Sequence, residues 1–194
     1  SWTETVSLHL KDKDSIDEFK RIQSTVVRIC ITAALGLISI MPFLFNFLVD
    51  EKFDQAYYQI PLLTIGAYFS SMVGIVSAYY IADKKTTIIA KSSMLCAAIN
   101  ILVNLSLVKW IGLYASSIST IVAYFFLYII RYKDIKKRFG INLENTLIIS
   151  AAVMMIVISM AYYTRNILVC IISFIIYMGF TLVINRKLFI SIYN

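Results

Sequence analysis

Between Asp83 and Arg131 the chain runs through two apolar segments, Thr86 to Lys109 and Ile111 to Tyr132, joined by a turn at Lys109-Trp110-Ile111-Gly112. Each matches the ~20 residues an α-helix needs to cross ~30 Å of hydrocarbon. Four further runs of the same kind occur at Ile29 to Val49, Tyr58 to Ala82, Thr146 to Tyr163 and Ile167 to Ile184. Length alone would allow one soluble domain with a good core. The apolar runs override that. The expected fold class is an all-α integral membrane protein of six transmembrane helices, one helical bundle plus a C-terminal hairpin.

Composition agrees: 60% of the 194 residues are hydrophobic and 15% are charged, against about 25% charged in soluble chains. A net charge of +7 would suit nucleic acid if the cations formed a surface patch, but they lie between the spans. Lys11, Lys13, Lys20, Arg21 and Arg28 precede the first span. Lys84, Lys85 and Lys91 flank the second-to-third turn. Arg131, Lys133, Lys136, Lys137 and Arg138 lie at and beyond the end of the fourth span, and Arg186 and Lys187 follow the sixth. Only Lys52, Lys109 and Arg165 fall on the other side. This alternation is a positive-inside signal. It places both termini in the cytoplasm and no nucleic acid among the partners. Trp110 and the tyrosines at 57, 58, 79, 80, 132, 162 and 163 sit near span ends, as interfacial anchors do.

The chain opens at Ser1 without a methionine or a signal-peptide pattern, so either it was cut from something longer or its start is not shown. Ser15-Ile16-Asp17-Glu18 fits a capping box. Ile16, Phe19, Ile22 and Val26 follow at helical spacing, as in an amphipathic helix on the membrane surface that feeds the first span. Pro42 predicts a kink in that span, and Pro61 falls in the first turn of the second, where proline is tolerated. The breaks divide the chain into a lead-in over 1–28, a four-helix portion over 29–132, a basic loop over 133–145, a hairpin over 146–184 and a tail over 185–194. The hairpin is almost wholly Ile, Val, Met, Leu and Phe, which reads as lipid-facing.

The sequence carries little chemistry. All acidic residues fall outside the six expected spans, so no carboxylate marks a proton or sodium path. No nucleophile–base set, phosphate loop or cofactor motif is present, and enzyme activity is not expected. Cys30, Cys96 and Cys170 lack metal or redox spacing and read as small apolar residues. His9 has no partner with which to form a metal site or triad.

The third and fourth spans are where polar groups enter the membrane. Ser93, Ala97, Asn100 and Asn104 share one helical stripe; Gly112, Ser116, Ser119 and Ala123 share another. Small residues let helices approach closely, and Gly74 in the second span belongs to a similar face. An asparagine in lipid is costly, so Asn100 and Asn104 should face other helices or water. Two readings stay open: helix–helix hydrogen bonds, worth ~0.6 kcal/mol each, or the lining of a substrate path. Lys91 lies ~7.5 Å inside the third span at ~1.5 Å per residue, and its stem can reach back to the interface.

The series Tyr57, Ile60-Pro61-Leu62-Leu63, Lys84-Lys85-Thr86, Asn100-Ile101, Asn104 and Gly112-Leu113-Tyr114-Ala115, followed by a basic loop, resembles the C-terminal half of polysaccharide (Wzx-type) flippases. These belong to the multidrug/oligosaccharidyl-lipid/polysaccharide exporter superfamily. Ser1-Trp2-Thr3 is similar to the end of the preceding helix in that family. The chain departs from it at Tyr114, where a second glycine is common. The resemblance implies a bacterial inner-membrane transporter that carries lipid-linked oligosaccharide by alternating access, with a missing N-terminal bundle as partner. A multidrug exporter of the same superfamily, or a non-transporting or enzymatic membrane subunit of glycan assembly, is the alternative.

The topology is testable by cysteine labelling in whole cells, after replacement of Cys30, Cys96 and Cys170. Probes at Lys52→Cys and Arg165→Cys should react with an impermeant maleimide, and probes at Lys85→Cys and Lys136→Cys should not. The opposite pattern would invert the orientation.

Overall fold

The structure is a computed structural model and describes residues 16–140 and 145–193. Among these, every regular element is helical. Six long helices follow in order: α1 (Ile16–Leu48), α2 (Ile60–Ala82), α3 (Thr86–Ile111), α4 (Tyr114–Phe139), α5 (Asn145–Tyr163) and α6 (Ile167–Tyr193). A 3-10 turn at Glu51–Phe53 and a one-turn helix at Asp54–Tyr57 link the first two. All six are long and apolar enough to cross a membrane. The chain is a multi-pass, all-α membrane protein.

Helix boundaries follow the breakers in the sequence. No glycine pair or proline interrupts residues 16–41, and α1 runs unbroken through them, with Pro42 inside it. The expected surface helix and first span are therefore one continuous helix, and residue 28 is not a structural boundary. The Ser15 capping box and His9 lie outside the described residues. Pro61 occupies the second position of α2, where its missing N–H needs no partner. After the fourth span the first glycine is Gly140, and α4 continues until it is reached. Gly140 adopts φ +65° and its N–H closes on the Lys136 carbonyl at 3.0 Å, a left-handed C-terminal cap. Most of the segment expected as a basic loop over 133–145 is thus the last turns of α4. Gly112 ends α3 with its N–H on the Val108 carbonyl at 3.0 Å, but at φ +54° and ψ −127°, a conformation outside the left-handed helical region that glycine adopts without cost.

The chain divides into two compact units. One comprises residues up to 24 together with 66–143; the other comprises 25–65 together with 144–194. In the first, α2 buries Tyr68, Met72, Val76, Tyr79 and Tyr80, while α4 buries Ala115, Ser119, Ala123 and Leu127 at a spacing of four. This small-residue stripe lets the backbones approach. A Cβ added at Gly66 would come within 3.4 Å of the Thr120 methyl. α3 packs on α4, yet it contains no buried residue. Gln23 accepts a hydrogen bond from the Tyr79 hydroxyl at 2.7 Å.

In the second unit, α1 buries Val27, Ile31, Leu35 and Ile38, α5 buries Ile148, Ala151, Met155 and Ile158, and α6 buries Cys170, Tyr177 and Ile184. The Arg28 guanidinium donates to the Ile184 carbonyl, and Asn185 Nδ2 donates to Thr32 Oγ1 at 2.9 Å. The final hairpin is therefore packed with the first span and is no lipid-facing appendage. Its composition hid this, because the polar groups that fix it lie at its ends and on the backbone.

Gly36 marks the closest approach in this unit: a Cβ there would meet the Tyr177 hydroxyl at 2.8 Å. By contrast, Gly179 has nothing within 4 Å. Gly36→Leu should lower the melting temperature of the detergent-solubilised protein by an amount equivalent to ~1–3 kcal/mol of overpacking. Gly179→Leu should leave it unchanged. Equal tolerance of the two would refute the α1–α6 packing.

Candidate functional site

α4 carries a charge that its position makes expensive. Arg131 is 3% exposed and lies within the span Tyr114–Arg138. Its guanidinium is spent on hydroxyls and one carbonyl. Nε donates to Ser92 Oγ at 3.0 Å, Nη1 to Ser77 Oγ, and Nη2 to Ser93 Oγ at 2.8 Å and to the Ile89 carbonyl at 3.0 Å. One side chain thereby joins α2, α3 and α4. Among the described residues no carboxylate pairs with it. Asp134, one turn further on, is held by Arg138 at 2.8 Å and by the Tyr80 hydroxyl at 2.9 Å. The sequence reading counted Arg131 as a loop charge. The signal that could have found it is the run of hydroxyls at Ser77, Ser92 and Ser93 on the two preceding helices.

Beside this cluster, the α3–α4 pair opens a cavity of about 400 Å³ lined by Ser93, Cys96, Ala97, Asn100, Ile101, Thr120, Tyr124 and Leu127. Asn100 is one of the lining residues: its Oδ1 accepts from Ser119 Oγ at 3.1 Å, and its Nδ2 lies 3.4 Å from Thr120 Oγ1. The Ser119 and Thr120 hydroxyls also reach the Ser116 carbonyl, at 3.0 and 2.8 Å. Asn100 therefore both bonds the neighbouring helix and lines a cavity.

The other sequence candidates separate. Ser93 and Asn100 meet at the cavity. Asn104 is half-buried, does not line it, and makes no hydrogen bond among the described residues. Lys91 is exposed and does not reach it. Of the expected packing residues, Ser119 and Ala123 are fully buried. Ser116 is exposed and contributes its carbonyl. Gly74 and Gly112 have nothing within 4 Å. Gly74 therefore makes no close packing, and Gly112 serves the turn; the close approach of α2 to α4 falls at Gly66 instead. Cys96 lines the cavity, and all three cysteines are free thiols. Among the described residues no cluster of His, Cys, Asp and Glu could hold a metal ion.

The second unit has a smaller recess of about 150 Å³, lined by Pro42, Asn46, Tyr57, Arg165, Ile167 and Cys170. Its wall is a latch of tyrosines. Tyr57 and Tyr162 stack at 4.2 Å and each donates its hydroxyl to the other's carbonyl, at 3.2 and 2.9 Å. Tyr163 Oη donates to the Tyr58 carbonyl at 3.0 Å. The Arg165 guanidinium lies 4.5 and 4.7 Å from the Tyr57 and Tyr58 rings and pairs with Asp54. Burial pushes the Tyr57 phenol up to about 12, so it remains a hydrogen-bond donor at neutral pH. The Asp54 carboxylate raises Arg165 above the ordinary arginine range. These tyrosines do more than anchor at an interface: they fasten the 54–58 segment to the hairpin turn.

Ser119 is 0% exposed where α3 and α4 meet, whereas Phe126 is 47% exposed. Ser119→Leu should reduce folded yield in membranes and lower the melting temperature by the equivalent of ~1–3 kcal/mol, and Phe126→Leu should do neither. Equal behaviour would place Ser119 against lipid.

Compared with protein-family models, with curated proteins and with solved structures, the chain matches none, so its function must be argued from the cavity and the residues that shape it.

Proposed function

We propose that this chain forms one bundle of a transporter that moves lipid-linked oligosaccharide across a bacterial inner membrane by alternating access, with both termini in the cytoplasm. The observation that carries the reading is the cavity between α3 and α4. Its lining mixes hydroxyl, carboxamide and thiol groups with apolar carbon, a surface suited to a hydroxylated ligand, and it sits on helices long enough to span the bilayer. Polar groups at membrane depth mark substrate paths more often than lipid contacts. α3 adds to the argument. A spanning helix with a polar stripe and no buried residue is what one wall of a path looks like when a second bundle supplies the other. The stripe and the turn residues also resemble those of polysaccharide flippases.

The test uses cells that lack their own flippase and accumulate unexported lipid-linked oligosaccharide. The protein carrying this bundle and its partner bundle should restore surface polysaccharide. Residues 1–194 alone should not, because one bundle supplies one wall. Asn100→Leu with Ser93→Leu, which fills the cavity, should reduce export at least tenfold when compared at equal amounts of protein in the membrane. Export that survives the filled cavity would overturn the assignment of the path. Failure to restore surface polysaccharide with both bundles present, alongside export of hydrophobic cations, would favour a drug exporter.

A further inference from the structure

The recess of the second unit lies where helices end. Asn46 stands two residues before the end of α1, Tyr57 three residues before α2, and Ile167 opens α6. The tyrosines around it place it at headgroup depth, where amphipathic rings settle. Its polar side chains are only partly used. Asn46 makes no side-chain hydrogen bond among the described residues. Arg165 gives Nη2 to Asp54 Oδ1. Its Nε and Nη1 hydrogens, and Asp54 Oδ2, have no hydrogen-bond partner among the described residues. The guanidinium is held in place over the Tyr57 and Tyr58 rings, which are stacked in turn on Tyr162 and Tyr163. Arg165 also sits at φ +51°, a left-handed backbone that costs a non-glycine residue free energy. Backbone held against its preference clusters at ligand sites.

The Arg165–Asp54 pair is neutral as a whole, so the recess has no simple appetite for anions. It sets guanidinium and carboxamide donors beside a carboxylate acceptor, which is the complement of a zwitterion whose two charges are a short link apart. At about 150 Å³ it is smaller than the ~300–1,000 Å³ pockets that enclose drug-sized ligands, so it takes a headgroup and leaves the rest of the molecule outside. On the two helices that line it, Phe43, Phe47, Leu168 and Ile171 are exposed and apolar. We propose that this recess binds phosphatidylethanolamine from the surrounding bilayer. The phosphate lies on Arg165 and Asn46, the ammonium donates to Asp54 Oδ2, and the acyl chains follow the exposed side chains of α1 and α6. Phosphatidylglycerol has no ammonium to offer, and phosphatidylcholine has no N–H for the carboxylate. The site serves the fit of the helices to the bilayer rather than passage through it.

The test uses the whole chain, purified in detergent, stripped of lipid and titrated in mixed micelles. Native mass spectrometry counts bound lipid, and the melting temperature is read in parallel. Phosphatidylethanolamine should bind about tenfold more tightly than phosphatidylcholine or phosphatidylglycerol with the same acyl chains, the scale of one hydrogen bond to a charged group. It should also raise the melting temperature. Glycerophosphoethanolamine, the headgroup without chains, should not compete at the same concentration. Asp54→Asn keeps an oxygen for Arg165 and loses the charge, so phosphatidylethanolamine should fall to the level of phosphatidylcholine. Asn46→Leu breaks no side-chain hydrogen bond among the described residues. Its lipid-free melting temperature should hold while all three lipids bind about fivefold more weakly, the scale of one neutral hydrogen bond. Equal binding of the three lipids, a preference for phosphatidylglycerol, or competition by the free headgroup would each overturn the proposal. So would unchanged binding in Asn46→Leu. A lower lipid-free melting temperature in both variants with the lipid ranking intact would overturn it as well, since the two residues would then serve the fold alone.

Discussion

A guanidinium in hydrocarbon must have its hydrogens satisfied before the helix that carries it can settle. Arginine at the centre of a bilayer costs ~2.5–3.5 kcal/mol on insertion scales, an upper bound for Arg131, which bonds Ile89 three residues after the start of α3. Each hydrogen bond from a charged donor returns ~1.5–3 kcal/mol, so the four bonds of Arg131 are enough to offset the cost. They also do what apolar contact cannot. Between helices in lipid there is no hydrophobic drive, since lipid tails are as apolar as leucine. α3, which buries nothing, keeps its register through Arg131 at one level and through the Asn100 bonds to Ser119 and Thr120 at another. The cavity lies between these two fastenings and inherits its shape from them.

The second unit obeys the same constraint with different residues. Its apolar helices are fixed by polar contacts near their ends: Arg28 on the Ile184 carbonyl and Asn185 on Thr32 at one end, and the tyrosine latch with Arg165 and Asp54 at the other. Exposed ion pairs contribute little by themselves. The Arg165–Asp54 pair gains from lying over two aromatic faces, where cation–π attraction adds to it.

How much of this could be read in the amino-acid order follows from what each signal reports. Apolar runs report span number, and the six helices lie where the runs do. They report boundaries less well. α4 overran the expected loop because charge was taken as a stop, whereas a helix stops at a residue such as Gly140 that can adopt positive φ. Lysine and arginine counts report orientation, and that use concealed Arg131, whose neighbours are serines distant in sequence. Asn100 could be found because a carboxamide in an apolar run is conspicuous. Gly66 and Gly36 could not be told apart from Gly74 and Gly179, since what matters is the atom opposite each glycine. The tyrosines at 57, 58, 162 and 163 read as interfacial anchors, and only the fold brings the two pairs together.

The order of the Arg131 cluster along the chain has its own consequence for biogenesis. Ser77, Ser92 and Ser93 precede Arg131 by 54, 39 and 38 residues. At ~5–20 residues per second of synthesis, the acceptors leave the ribosome roughly 2 to 11 seconds before the charge. The hydroxyls can wait in the bilayer, because each serine can satisfy itself on its own helix backbone, as Ser77 and Ser92 do. A bare guanidinium could not wait in the same way. Had the arginine stood on α2 and the serines on α4, the nascent chain would carry an unsolvated cation through insertion with nothing yet made to receive it. As written, the cradle is made first and the charge arrives last.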